Sequence, residues 1–312
     1  MRITSAQASI VVLAPATSAN LGSGFDAAGL ALDWWDTLKV TPGHGSPGDL
    51  AVHAKGEEAQ SIPVGRDNLL VAAMLRFAKE AGRTLPALSL ELELGFPRGR
   101  GFGSSAAAIA LGLLAARKVL AVDLPDAGVF QLASEIEGHP DNVAPCLFGG
   151  ATLCWSELGT PRYHPASVHP DLAAFALIAP EPMGTRAARQ ILPDTVAFAH
   201  AAWTAGRAAL LPLALAGAFD LLLPATDDVL HQQRRLASWP EAANALGHLR
   251  AQGHAAFVSG AGPSLLVLCE RRQLPRVRSA AEESCGAAGG WRLHEVGLAG
   301  GGGARIGPTT AN

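Results

Sequence analysis

The sequence predicts an α+β fold made of two unlike halves, on three observations. Leu88 to Leu94 alternates leucine with glutamate or serine, the period of two that marks a half-buried strand. Asn68 to Ala81 instead spaces Leu70, Met74, Leu75 and Phe77 at helical intervals and stops at Gly82. The chain has 312 residues, enough for about two compact domains, and a stretch rich in Pro, His and Gly from Ser156 to Pro170 marks the boundary. The expected domains are residues 1–160 and 161–312.

In chain order, Ser9 to Ala14 reads as a β-branched strand that runs into Pro15, followed by a glycine-bearing loop over Ala16 to Asp26. Leu38 to Val40 and Asp49 to Val52 read as strands separated by Pro42, Gly43, Gly45, Pro47 and Gly48. After the helix and the alternating strand, a glycine-rich loop over Pro97 to Gly103 opens an alanine-rich helix from Ser104 to Arg117. A second helix covers Ala127 to Glu137 and stops at Gly138. Phe148 to Leu153 reads as a turn into a strand. The second half offers strands at Phe175 to Ala179, Ala255 to Ser259 and Leu265 to Leu268, with helices between Thr185 and Leu249. Gly300 to Gly303 precedes a short tail, and no repeat of fixed period is present.

Composition narrows the partners. Hydrophobic residues make up 49% and charged residues 16%, the balance of a globular chain. The formal net charge is −3 with no Lys/Arg block, which argues against nucleic acid but leaves room for a small anionic ligand. Cys146, Cys154, Cys269 and Cys285 are scattered and form no C-x-x-C pair, so free thiols in a reducing cytoplasm are expected. The longest apolar run, Ala208 to Phe219, contains Pro212 and falls short of the ~20 residues a bilayer requires. The start of the chain has no basic region beyond Arg2 and no long apolar core, so a first strand is expected there and no signal peptide.

The main chemical signal is the run Pro97, Arg98, Gly99, Arg100, Gly101, Phe102, Gly103, Ser104, Ser105, Ala106, Ala107. Glycines let a backbone approach an anion closely, and the helix that follows adds its positive end and free N–H groups. Ser104 and Ser105 could cap that helix and offer hydroxyls to phosphate or Mg²⁺. Neither a G-x-x-x-x-G-K-[ST] loop nor a G-x-G-x-x-G at a first strand is present. Arg98 and Arg100 have two readings, phosphate contacts or solvated loop residues. A second cluster, Glu135, Glu137, His139, Asp141 and Asn142, gathers at a helix stop, where functional residues collect. Either carboxylate could hold Mg²⁺, and a spacing of two turns Glu135 and Glu137 to different sides of the helix.

Taken together, these segments resemble the GHMP kinase superfamily of galactokinase, homoserine kinase, mevalonate kinase and phosphomevalonate kinase. The glycine-serine loop resembles its ATP-phosphate motif, with Phe102 where Leu or Met is usual. Ser259 to Ser264 resembles the third motif. Ala14 to Asp26, continuing to Leu32, resembles the homoserine kinase branch and lacks the Gly-Glu-His of galactokinases and mevalonate kinases. Asp141 to Pro145 and Thr185 with Arg189 to Pro193 are similar to the same branch. The resemblance spans about residues 9 to 306.

The resemblance implies an N-terminal domain like ribosomal protein S5 domain 2 and a C-terminal ferredoxin-like α/β sandwich, with the site between them. It implies ATP and L-homoserine as substrates, Mg²⁺ as cofactor, threonine biosynthesis as context and a homodimer. Asn20 and Asp26 would bind homoserine, the Asp26 carboxylate meeting its ammonium group. His139 and Asn142 would line the substrate pocket, and Arg189 would hold the substrate carboxylate. A second such arginine would be Arg235, with Arg234 as the other choice. Ser105 and Glu135 would hold Mg²⁺, Glu135 being preferred over Glu137 because it stands four residues before His139. Asn68 would approach the adenine. Asp141 stands where other branches place a base, but this branch resembles one working without it, with Asn142 orienting the hydroxyl. Two rival readings are a GHMP kinase for another small alcohol and a non-catalytic nucleotide-binding protein of the same fold.

Overall fold

The computed structural model describes residues 9–285 and 290–307, without the side chains of residues 185–187. Arg2, the outer ends of the two expected domains and the Thr185 side chain lie outside the described residues. The first half runs β1 (Ile10–Ala19), β2 (Ala28–Pro42), β3 (Leu50–Lys55), α1 (Leu69–Glu80), β4 (Leu88–Glu93), α2 (Ser104–Leu120), α3 (Asp126–Glu137), α4 (Val143–Phe148), β5 (Ala151–Glu157) and β6 (Thr160–Ala166). It continues with β7 (Leu172–Ile178), α5 (Thr185–Gln190), α6 (Phe198–Ala208), α7 (Leu211–Leu215), α8 (Leu222–Ala225), α9 (Gln232–Leu236) and α10 (Pro240–Ala251). The last elements are β8 (Ala255–Val258), β9 (Leu265–Glu270), α11 (Leu274–Cys285), β10 (Arg292–Val296) and β11 (Arg305–Ile306).

The architecture is α+β, as expected. A seven-stranded sheet follows the order β11-β1-β2-β4-β3, with β5 joining β2 to β6. Its pairs are antiparallel except β3 with β4. The second sheet, β10-β7-β9-β8, is antiparallel throughout, the order of a ferredoxin-like sandwich. All four cysteines are buried free thiols. Among the described residues no helix is long and apolar enough to cross a membrane.

Three departures from the sequence reading have physical causes. First, β1 continues through Pro15 to Ala19, so the loop begins only at Asn20. The ladder shifts register between Pro15 and Ala16, and at such a bulge a proline costs no ladder hydrogen bond. Second, β2 is fifteen residues long although only Leu38 to Val40 looked strand-like. Its first five residues are buried on both faces, which erases the period-two signal.

Third, the boundary expected between 160 and 161 falls inside the β5–β6 hairpin. The Pro-, His- and Gly-rich stretch from Ser156 to Pro170 contains Pro161 and Pro165, but β6 is an edge strand paired only with β5, where proline is tolerated. The Tyr163 ring stacks on Phe148 at 4.0 Å and meets Phe130 edge-on at 5.2 Å. Residues 305 and 306 also return to the first sheet, beside β1. The halves share apolar packing through β7. Its Leu172, Ala174, Ala176 and Ile178 belong to the main core, while Ala173, Phe175 and Leu177 pack with residues of α10 and α11. A strand's alternating faces thereby weld the two halves.

Candidate active site

The glycine loop is clamped from both sides. Gly103 precedes α2 with φ of 66°, and a Cβ there would stand 1.9 Å from Thr17 Oγ1. Gly101 has φ of 88°, and its Cβ would stand 2.1 Å from the Ser259 carbonyl oxygen. Only glycine fits either place. Thr17 N donates to the Phe102 carbonyl at 3.1 Å, and Ser259 Oγ donates to the Gly101 carbonyl at 2.7 Å. The first and third motifs therefore hold the second between them. Gly99, Gly101, Gly103, Ser104 and Ser105 face the cleft, beside the unpaired N–H groups of the first turn of α2. Gly103 is the residue before the helix, so Ser104 and Ser105 lie within its first turn and do not cap it.

The other residues of this loop support it. Phe102 is buried in the core, as are Ala106 and Ala107, and Pro97 is also buried. Arg98 and Arg100 fit neither of their sequence readings. The Arg98 guanidinium donates to Asp36 Oδ2 at 2.6 Å, and its backbone N–H donates to Glu58 Oε2 at 2.6 Å. Arg100 pairs with Glu58 and donates to the Ala179 and Pro180 carbonyls, each at 2.8 Å. Burial raises the Asp36 carboxyl above its ordinary range, while the Arg98 charge pulls it back. Both arginines brace the loop from behind.

At the end of α3 the structure reverses the expected choice of carboxylate. Glu137 faces the cleft, and Ser105 Oγ donates to its Oε1 at 2.5 Å. Glu135 points outward to Arg76, 3.1 Å away, and to Gln131. Counting four residues from Glu135 to His139 assumed one continuous helix, but α3 ends at Gly138, whose φ is 89°. His139 therefore shares no helical face with Glu135. Burial pushes the Glu137 carboxyl up, against the opposing pull of the Ser105 hydrogen bond and of His139.

Beyond Gly138, the His139, Asp141 and Asn142 side chains converge on the cleft. His139 Nδ1 lies 2.6 Å from Asp141 Oδ1, which also accepts the Asn142 backbone N–H at 3.0 Å. Asp141 is 1% exposed. Asn142 Oδ1 accepts from Thr17 Oγ1 at 2.8 Å, so its amide is oriented beside the glycine loop. Burial disfavours the charged imidazole of His139, but the hydrogen bond and charge of Asp141 outweigh it and raise its pKa.

The far wall comes from the first loop and from α5 and α9. Arg189 makes a two-pronged pair with Asp26, at 2.7 and 3.0 Å. That pairing is the main cause that holds the Arg189 pKa up. Arg235 is buried in this wall and lines the cleft, whereas Arg234 is exposed. Burial lowers the Arg235 pKa to about 10. Asn20 Nδ2 and Arg235 both donate to the Gly260 carbonyl at 2.8 Å. Phe25 lies beneath both guanidinium groups, 5.7 Å from Arg189 and 5.5 Å from Arg235.

Asn68 has a capping role in place of the expected adenine contact. Its Oδ1 accepts the N–H groups of Leu70 and Val71, and its Nδ2 donates to the Pro63 carbonyl. Thr17, Phe25, Met183 and Gly260 join the site without having been singled out from the sequence as site residues, and their places depend on long-range packing. The sequence reading ranks Glu137 as a candidate below Glu135, and the helix stop at Gly138 is the signal in its favour.

A separate cavity of about 740 Å³ is lined by residues of α8, β9 and α11 and shares no residue with this cleft.

Residues 68–150 match the family described as GHMP kinases N terminal domain. The chain is 44% identical over 261 residues to a homoserine kinase of Clavibacter michiganensis, covering 83% of this chain and 82% of that one. It is 39% identical over 294 residues to a homoserine kinase of Streptomyces coelicolor, covering 93% and 92%. The crystal structure of homoserine kinase from Cytophaga hutchinsonii superposes with a TM-score of 0.83 at 25% identity, over 98% of this chain and 99% of that one. Mevalonate kinase of L. major shares the fold, with a TM-score of 0.69 at 15% identity over 93% of this chain and 95% of that one.

The His139–Asp141 pair generates a titration prediction. His139 titrates above 6.5 in the folded protein, so the stability it adds is full below about 6.5 and is lost as pH rises through the native value. In Asp141→Asn, burial dominates and the imidazole titrates lower than in the wild type. NMR of the histidine ring nitrogens measures this, and an unmoved midpoint contradicts the assignment.

Proposed function

The chain belongs to the homoserine kinase family, a branch of the GHMP kinases, and we propose how its cleft divides the work of that reaction. The enzyme transfers the γ-phosphoryl group of ATP to the side-chain hydroxyl of L-homoserine, a step of threonine biosynthesis. The observation that carries the division of roles is the meeting, in one cleft, of a glycine-led helix start with the half-buried Glu137 carboxylate and two guanidinium groups.

Phosphoryl transfer asks a protein mainly for positioning and charge stabilisation. The glycine loop and the first turn of α2 hold the ATP phosphates through backbone N–H groups. Ser105 Oγ and the Glu137 carboxylate are oxygen donors of the kind Mg²⁺ prefers. No group of three or more His, Cys, Asp or Glu among the described residues is arranged to hold a metal alone. A site of two protein oxygens completed by phosphate and water fits the habit of Mg²⁺. Bound there, the ion supplies neutralisation of phosphate charge.

L-Homoserine lies against the opposite wall. Arg189 and Arg235 receive its carboxylate, for which a planar guanidinium offers matched N–H pairs. Asp26 receives the ammonium group, so the Arg189–Asp26 pair opens and each partner takes the oppositely charged end of the substrate. Asn20 and His139 complete the pocket. Asn142, oriented by Thr17, holds the hydroxyl in line with the phosphorus. Asp141 keeps His139 and the Asn142 backbone in place. As the O–P bond forms and the bond to ADP breaks, the hydroxyl proton passes to an oxygen of the transferred phosphoryl group and from there to solvent. The reading includes a cytoplasmic location, supported by four unpaired thiols, and a homodimer, which rests on the family resemblance.

A coupled ADP-release assay with L-homoserine, L-serine, L-threonine, mevalonate and galactose tests the substrate, and turnover with homoserine alone is expected. Glu137→Gln lowers kcat by ~10²-fold, the scale of losing one charge-stabilising contact, while Glu135→Gln changes little; the opposite order rejects the carboxylate assignment. Arg189→Lys raises the homoserine KM strongly and leaves that of ATP nearly unchanged, because lysine makes no two-pronged pair. Equal damage to both constants would remove Arg189 from the pocket. Asp141→Asn keeps measurable turnover, and a loss of ~10⁴-fold, the upper end for general base catalysis, would make Asp141 the base.

A further inference from the structure

Arg235 is 3% exposed, yet both of its hydrogen-bond partners are neutral. One is the Gly260 carbonyl at 2.8 Å and the other is His231 Nδ1 at 3.1 Å. Its Nε is buried with no partner. A buried cation normally takes a carboxylate. Here the nearby carboxylates are committed elsewhere. Asp26 pairs with Arg189, and Asp228 accepts the backbone N–H groups of Leu230, His231 and Gln232 at 2.9 to 3.0 Å.

His231 is 1% exposed and its tautomer follows from its neighbours. Nε2 lies 2.8 Å from the Gly22 carbonyl, which can only accept, so Nε2 carries the proton. Nδ1 is then a lone pair facing the Arg235 guanidinium. Asp228 Oδ2, 3.6 Å from Nε2, favours a charged ring, but burial and the Arg235 charge prevail and lower the His231 pKa to about 4. The ring also leans on Phe25 at 5.1 Å, the same phenyl ring that underlies both guanidinium groups.

We propose that His231 is a positioning residue for substrate binding: a neutral Nε2–H imidazole that aims the Arg235 guanidinium at the carboxylate of L-homoserine without neutralising it. A carboxylate in its place would orient Arg235 equally well but would cancel the charge that the substrate must meet. The Gly22 contact ties this device to the loop carrying Asn20, Phe25 and Asp26, so the two ends of the amino acid are registered against each other. The proposal rests on the reading of Arg235 as a carboxylate ligand, and wild-type turnover of homoserine checks the underlying activity separately.

Steady-state kinetics of His231→Gln and His231→Asn test it, with thermal unfolding to verify folding. Gln keeps a donor near Gly22 but lacks an acceptor at the Nδ1 position. It raises the homoserine KM by ~10-fold, the scale of one charged hydrogen bond, and leaves the ATP KM unchanged. Asn carries Oδ1 where Nδ1 stands and recovers most of that loss. Discrimination between L-homoserine and 3-aminopropan-1-ol, which has no carboxylate, falls in the Gln variant. Equal effects of Gln and Asn, a parallel rise in the ATP KM, or an unchanged homoserine KM in the Gln variant overturns the proposal. If either variant is unstable, the double-mutant comparison in an Arg235→Met background decides: any His231 substitution that folds adds nothing there if His231 acts through Arg235, and additive losses refute it.

Discussion

The close approach of the glycine loop to its two neighbours is the constraint on which the site depends. At Gly103 and Gly101 the backbone lies so near to Thr17 and Ser259 that no side chain fits. That contact sets the start of α2, and with it the direction of the helix's positive end. It brings Ser105 against Glu137 and places Thr17 where it can orient Asn142. Three segments far apart in sequence therefore assemble one cradle, and the positions of its chemical groups follow from steric exclusion.

Charge is partitioned between structure and chemistry. Arg98 and Arg100 spend their N–H groups on Asp36, Glu58 and backbone carbonyls behind the loop. Arg189 and Arg235 stay in the cleft, one paired with a partly exposed carboxylate and the other with neutral acceptors. A substrate bearing both an ammonium and a carboxylate group can replace the Arg189–Asp26 pair with two new pairs. The exchange leaves neither Asp26 nor Arg189 without an opposite charge, which limits the desolvation cost of binding.

The site lies at the seam of two sheets that share a core. Strand β7 contributes alternate residues to the main core and to the cluster under α10 and α11, so the halves are packed as one body. The third motif follows β8 directly, and its Ser259 and Gly260 reach back to Gly101 and Ala19. The cleft wall from α5 and α9 is thereby held in register with the glycine loop.

Much of this was legible in the sequence. Local signals located the helix starting at Ser104, the alternating strand at Leu88, the stop at Gly138 and the chemical character of the glycine-serine loop, because each depends on neighbours within a few residues. Motif resemblance carried the family and pointed to Asn20, Asp26, Asn142 and Arg189, all of which line the cleft. Tertiary structure alone decided which of Glu135 and Glu137 meets Ser105, since that depends on where α3 stands relative to α2. It also turned Arg98 and Arg100 away from the cleft, gave Asn68 to a helix cap, kept β6 in the first sheet and seated His231 beneath Arg235. The carboxylate and loop-arginine outcomes are contacts between residues tens of positions apart, about which linear spacing carries no information. The Asn68 cap, the β5–β6 hairpin and the His231–Arg235 contact are local in sequence, but each also depends on the element packed against it.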